Sequence, residues 1–247
     1  MGKKNKKAKN NHNTPNTQTN LTAATIPNPP KKKNKPIGEP ENPQIGWMRL
    51  DNAAKIYPAS TRRSWTPMFR ISTTFTEPVD VEVLQSALEK TLRRFPGIAV
   101  ALKAGLFWNY LDPIKEMPKV QPEGPCPCLP MSRKNLKKCA VRVLYYENRI
   151  AVEYFHSLTD GTGGLIFMKT LAAEYLTQKY HIDIPCEEGI CDRNEQPKPE
   201  ELEDSFINNA GSFTDGSRDT VSYRLRGTKE PDGFINLTTG IMDAKAV

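Results

Sequence analysis

The stretch that most limits what this chain can fold into runs from Ala140 to Lys179. Ala140–Tyr146 and Arg149–Phe155 are two runs rich in β-branched and aromatic residues, separated only by Glu147-Asn148. Two such runs joined by two turn-forming residues predict a β-hairpin. Gly161, Gly163 and Gly164 follow. Beyond them Leu165, Met168, Leu171, Ala172, Tyr175 and Leu176 recur at helical steps as far as about Lys179. That spacing predicts a helix beginning after Gly163-Gly164, with those residues as its buried stripe. A hairpin that runs directly into a helix commits the chain to a sheet with a helix packed on it.

Upstream segments extend this layout. Arg70–Phe75 reads as a strand. Val81, Leu84, Leu88, Leu92 and Phe95 make one apolar face of a helix over Asp80–Phe95, with Asp80 able to cap its first turn and Pro96-Gly97 ending it. Ile98–Lys103 and Leu106–Leu111 read as a further hairpin around Ala104-Gly105, and 113–138 as a long loop rich in Pro and Lys. The expected fold is α+β in two layers: a mixed, largely antiparallel sheet with helices packed on one face.

From His181 to about Asp219 the chain is polar and reads as a surface crossover, while Phe234–Thr239 reads as a strand. Asp243 looks like the cap of a helix that Ala244 begins. One turn of helix is not stable alone, so the expectation is a chain cut short of a further unit. The domain reading is therefore a basic disordered tail over 1–45, a folded domain over 46–180, a crossover over 181–233, and the start of a second half over 234–247.

The charge separates tail from fold. The net charge is +7, yet nine of the 35 basic residues and two of the 28 acidic ones lie in 1–45. The whole excess sits in that tail, which has too few large apolar residues to offset the entropy of ordering it. The remainder is balanced and has no bulk electrostatic reason to seek nucleic acid. The tail itself carries no aromatic residue for stacking on bases. No apolar run is long enough to span a membrane, and the lysine-rich start lacks the apolar core of a secretory signal. Five cysteines, an odd count, then favour reduced thiols and a cytoplasmic setting.

The candidate chemistry lies where the second hairpin strand ends. His156 follows Phe155, and Asp160 and Gly161 follow four and five residues later. A neutral imidazole at a strand end can take a proton from a hydroxyl or amine near neutral pH. Asp160 can tie the loop down through backbone amides or an arginine. Gly161, Gly163 and Gly164 permit backbone geometries closed to other residues.

His156-xxx-Asp160-Gly161, placed between an aromatic-rich strand and a helix, resembles the HxxxDG signature of the CoA-dependent acyltransferase superfamily. The likeness lies with its alcohol acetyltransferase and condensation-domain-like branch. Arg49–Pro58, the helix ending Arg93-Arg94-Phe95-Pro96, and Leu106-Phe107-Trp108 resemble that branch too, so the resemblance spans about Gly46 to Val247. It implies the N-terminal half of a two-half α/β fold with its site in a tunnel between the halves. It implies acetyl-CoA or another acyl-CoA as co-substrate, a small alcohol or amine as acceptor, and no metal. His156 would be the general base, Asp160 a structural residue held through an arginine, and Gly161 the residue that keeps the tunnel clear. Phe155 stands where condensation domains usually carry a second histidine, which argues against a peptide condensation domain and leaves alcohol acetylation open. The alternative is a non-catalytic half that binds a partner or a second copy of itself through the face the other half would cover.

Other residues point elsewhere with less force. Cys126, Cys128, Cys139, Cys186 and Cys191 lack the C-x-x-C spacing of structural zinc sites, and His181 is the only histidine near them. Gly161-Thr162-Gly163-Gly164 opens a helix but lacks the Walker lysine and the full dinucleotide fingerprint. Trp47, Trp65 and Trp108 are expected in the core or on a tunnel wall.

Overall fold

The computed structural model describes residues 46–62, 65–203, 226–228, 231, 240, 241, 243 and 245. The tail over 1–45 and the strand expected at Phe234–Thr239 lie outside the described residues. Of the helix expected from Ala244, only the contact of the Asp243 carboxylate with the Lys245 amide is described. Among the described residues no helix is long and apolar enough to cross a membrane.

The α+β architecture is present, and its strands divide between two sheets. One holds β1 (Met48–Arg49), β4 (Asn109–Pro113) and β3 (Val100–Ala104) in that order, all antiparallel. The other runs β2 (Met68–Thr74), β7 (Arg149–Phe155), β6 (Val141–Tyr146), β5 (Gln121–Pro122), with only β5 parallel to its neighbour. The expected hairpin is β6–β7. Glu147 turns it at φ 47°, and Asn148 Nδ2 donates to the Phe75 carbonyl at 2.7 Å.

Helices α2 (Val81–Arg94) and α4 (Gly161–Tyr180) cover one face of the larger sheet. The Asp80 carboxylate accepts from the Glu82 and Val83 amides, as the sequence suggests. Leu84, Leu88 and Leu92 of α2 meet Val141, Val143, Ile150, Val152 and Tyr154 of the hairpin and Phe167, Leu171 and Tyr175 of α4. A second cluster, with Leu50, Val100, Leu111, Met131 and Leu136, receives Phe155 from the opposite face of β7. β7 is thus buried on both sides, which explains why its sequence is apolar rather than alternating.

Several expectations differ from the structure. Helix α4 starts at Gly161, before the Gly163-Gly164 pair, because Asp160 caps it. Of the stripe read from the sequence, Met168, Leu171 and Tyr175 are buried and Leu165 is exposed, while Gly164, Phe167, Thr170, Ala173 and Glu174 are buried as well. The helix buries a second arc because residues 181–203 fold back over it. The Cys191 amide donates to Thr170 Oγ1, Arg193 pairs with Glu174, and Arg94 of α2 grips Glu201 and the Asp192 carbonyl. Residues 181–203 are thus tied to both α2 and α4. The Arg94 guanidinium holds the Glu201 carboxyl below its ordinary range.

The long loop over 113–138 contains β5 and a short helix, α3 (Arg133–Leu136). Finally, β4 begins only at Asn109. Leu106 and Phe107 are each 86% exposed at the hairpin tip, and Trp47, Trp65 and Trp108 lie 51–61% exposed. Aromatic residues favour strands statistically, but here the turn displaces them from the ladder and out of the core.

Candidate active site

β7 ends at Phe155, whose amide donates to the Ala140 carbonyl at 3.0 Å. The next amide, of His156, donates to the Pro67 carbonyl just before β2, also at 3.0 Å. These two bonds turn the chain off the sheet and fix where the imidazole leaves it. The ring lies half-buried. Tyr57 stacks on it with centroids 4.4 Å apart and planes 7° from parallel. Phe69 of β2 also packs on it, with centroids 4.8 Å apart and planes at 54°. Neither ring nitrogen has a hydrogen-bond partner among the described residues.

The loop after His156 is held from the same direction as Tyr57. Ser157 is buried, and its hydroxyl donates to the Ala54 carbonyl at 2.8 Å. Ala54 is itself fixed by its amide, which donates to the Asp51 carboxylate at 2.6 Å. The Tyr57 ring belongs to α1 (Ile56–Ser60), directly after that turn. So Asp51, Ala54 and Tyr57, all within Arg49–Pro58, dock on the histidine loop. Tyr57 and Phe69 are the site residues the sequence alone did not identify. Their signal was faint: one aromatic in each of two segments far from His156 in the chain.

Asp160 caps α4. Its carboxylate accepts from the Gly163 amide at 2.8 Å, and among the described residues no arginine reaches it. Of the two tethers open to it, the backbone amide is the one in place. The glycines also act differently from expectation. None of Gly161, Gly163 and Gly164 adopts a left-handed backbone. Gly164 is required by close approach instead, since a Cβ there would meet the Phe69 ring at 2.9 and 3.1 Å. A Cβ on Gly161 would meet nothing within 4 Å.

This difference separates structure from activity in one experiment. Gly164→Ala is expected to push Phe69 and lower stability by about 1–3 kcal/mol, the usual range for overpacking. Gly161→Ala is expected to leave the denaturation midpoint unchanged or slightly raised, since alanine suits a helix better than glycine. If the open space over Gly161 receives substrate, that neutral change still lowers turnover. Urea melts of the two variants beside wild type check the structural half.

Burial pushes the Cys139 thiol up, and burial with the nearby Glu153 carboxylate pushes up that of Cys128. Protonated thiols are poor ligands. Among the described residues no group of three His, Cys, Asp or Glu could hold a metal ion. His181 ends α4 in the left-handed conformation, a helix-stop role.

No protein-family model matches this chain, and no curated protein does. Several solved structures are similar in part. The starter condensation domain of rhizomide synthetase matches with a TM-score of 0.47 at 12% identity, over 58% of this chain and 40% of that one. Polyketide synthase associated protein 5 from Mycobacterium tuberculosis matches at 0.43 and 15%, over 57% and 36%. The first condensation domain of the calcium-dependent antibiotic synthetase matches at 0.43 and 15%, over 58% and 40%. The chain thus spans about two-fifths of the length of these structures. The chemistry at His156 stands on this chain's own residues.

Proposed function

We propose that this chain carries the general base of a direct acyl transfer from an acyl-CoA, acetyl-CoA first among them, to a small alcohol or amine. The observation that carries the reading is the imidazole of His156, packed by Tyr57 and Phe69 with neither nitrogen hydrogen-bonded among the described residues. A ring so held keeps its orientation while remaining able to receive a proton. In the proposed step one of those nitrogens accepts the acceptor's proton as its oxygen or nitrogen attacks the thioester carbonyl. The tetrahedral intermediate collapses, the carbon–sulfur bond breaks, and the CoA thiolate takes the proton back from the imidazolium. No covalent acyl-protein forms. Asp160 and Ser157 act on the loop and not on the substrate. The test is release of free CoA thiol from acetyl-CoA in the presence of alcohols or amines, by wild type and by His156→Ala. Equal rates in the two would sink the reading.

One observation favours a second reading, a non-catalytic association module. Leu106, Phe107 and Trp108 form an exposed apolar tip, and Trp47, also exposed, packs edge-on against Tyr110. Sedimentation velocity over a hundredfold concentration range separates the readings. A sedimentation coefficient that rises with concentration supports association, and a constant monomer value counts against it.

A further inference from the structure

The two sheets touch at Ala140, whose amide donates to the Val100 carbonyl and whose carbonyl accepts from the Phe155 amide. Beyond that point β3 pairs with β4 and β6 pairs with β7, so the sheets separate. The gap is a cavity of about 490 Å³, lined from one sheet by Ala101 and Lys103 and from the other by Val141 and Arg142. That volume lies within the range of small-molecule sites.

Its lining is strongly cationic, although acids and bases balance over residues 46–247 taken together. Lys103, Lys115, Lys119, Lys137 and Lys138 surround it, against Glu116 as the single carboxylate. Arg142 is already engaged by Glu153 and the Leu129 carbonyl. Lys103 donates to the Lys137 carbonyl, which draws α3 against β3. Lys119 reaches Glu89 only at 3.9 Å while 77% exposed, a weak pair. Lys115, Lys137 and Lys138 have no ion-pair partner among the described residues. Several lysines crowded round one concavity repel each other, and a ligand bearing clustered negative charge relieves that repulsion. The floor is different in kind. Ala101, Ile114, Met117 and Met131 offer an apolar bed beneath the cationic rim.

We propose that this cleft between the sheets binds a phosphate-bearing small molecule with a flat or apolar body, a nucleotide phosphate in chemical class. Lysine is a point-charge binder of phosphate and suits a diphosphate spread along a rim. The apolar floor takes the body that inorganic phosphate lacks. Both a free nucleotide and the nucleotide end of CoA present this chemistry. The inference does not depend on the chemistry at His156.

The test is calorimetric titration of the full chain with ADP, CoA and inorganic pyrophosphate, repeated with Lys137→Glu/Lys138→Glu. Both lysines are exposed and have no described side-chain partner, so the reversal leaves the core alone. The expected result is one ADP per chain, bound about tenfold or more tightly than pyrophosphate and about tenfold or more weakly by the variant, with affinity falling as salt rises. CoA binding better than ADP assigns the cleft to the CoA nucleotide, and ADP binding at least as well assigns it to a free nucleotide. The proposal is overturned if no ADP binds below about 1 mM, if pyrophosphate binds as well as ADP, or if the variant binds ADP as wild type does. In that last case the lysine-rich residues 1–45, which the variant retains, would be the attracting element.

Discussion

Replacing Glu153 with alanine is expected to cost about 3–5 kcal/mol of folding stability, the usual result of breaking a buried ion pair from one side. Glu153 is fully buried at the centre of β7. Its strand neighbours across the ladder are Arg70 on one side and Arg142 on the other, and both guanidiniums reach its carboxylate. The Cys128 amide donates to the same group at 2.7 Å. Removing the carboxylate leaves two largely buried cations facing each other and one orphaned amide. Arg70 retains Glu123 at 2.7 Å, which softens the loss without cancelling it. The midpoint of urea unfolding, at unchanged slope, reads the effect. The segment pinned through Cys128 should loosen at the same time, so that thiol reacts faster with a thiol reagent. A loss below about 1 kcal/mol would mean the cluster contributes no more than an exposed pair.

The second large effect is on turnover. If the proposed reading holds, His156→Ala lowers the rate of CoA release by about 10²–10⁴-fold, the usual contribution of a positioned proton acceptor. Stability should change little, because the ring is half-exposed and makes no side-chain hydrogen bond among the described residues. Tyr57 sharpens the test. Tyr57→Phe keeps the stacking surface and is expected to keep the rate, whereas Tyr57→Ala frees the ring and is expected to lower it about tenfold through lost orientation. A rate that survives Tyr57→Ala but not His156→Ala would leave the base in place and remove the clamp from the mechanism.

The parts of this fold that could be read from the sequence are those set by local rules. The β6–β7 hairpin follows from two apolar runs and a two-residue turn, and α2 from its periodic leucines and an Asp80 cap that the structure reproduces. The misread parts depend on partners distant in sequence. The buried arc of α4 is wider than its periodicity suggests because residues 181–203 return over it, and nothing within the helix announces that return. Leu106-Phe107-Trp108 has strand-like composition yet forms a tip, since pairing of β3 with β4 places the turn there. At the site, His156 and Asp160 were legible because they sit four positions apart, directly before the start of a helix. Tyr57 and Phe69 were not, because stacking leaves no spacing signature.

The pairing of β2 with β7 sets an order in time. The β6–β7 hairpin closes across two residues, an event of microseconds. β2 must instead find a partner far along the chain, with 83 positions between Arg70 and Glu153, and closing so long a loop carries an entropy cost that local contacts do not. Yet β2 brings Phe69, and the residue before it, Pro67, accepts the His156 amide. The histidine loop is therefore expected to assemble late in folding, once β2 has arrived. A chain with a formed hairpin and packed helices but no β2 would have near-native helix content and no clamped imidazole.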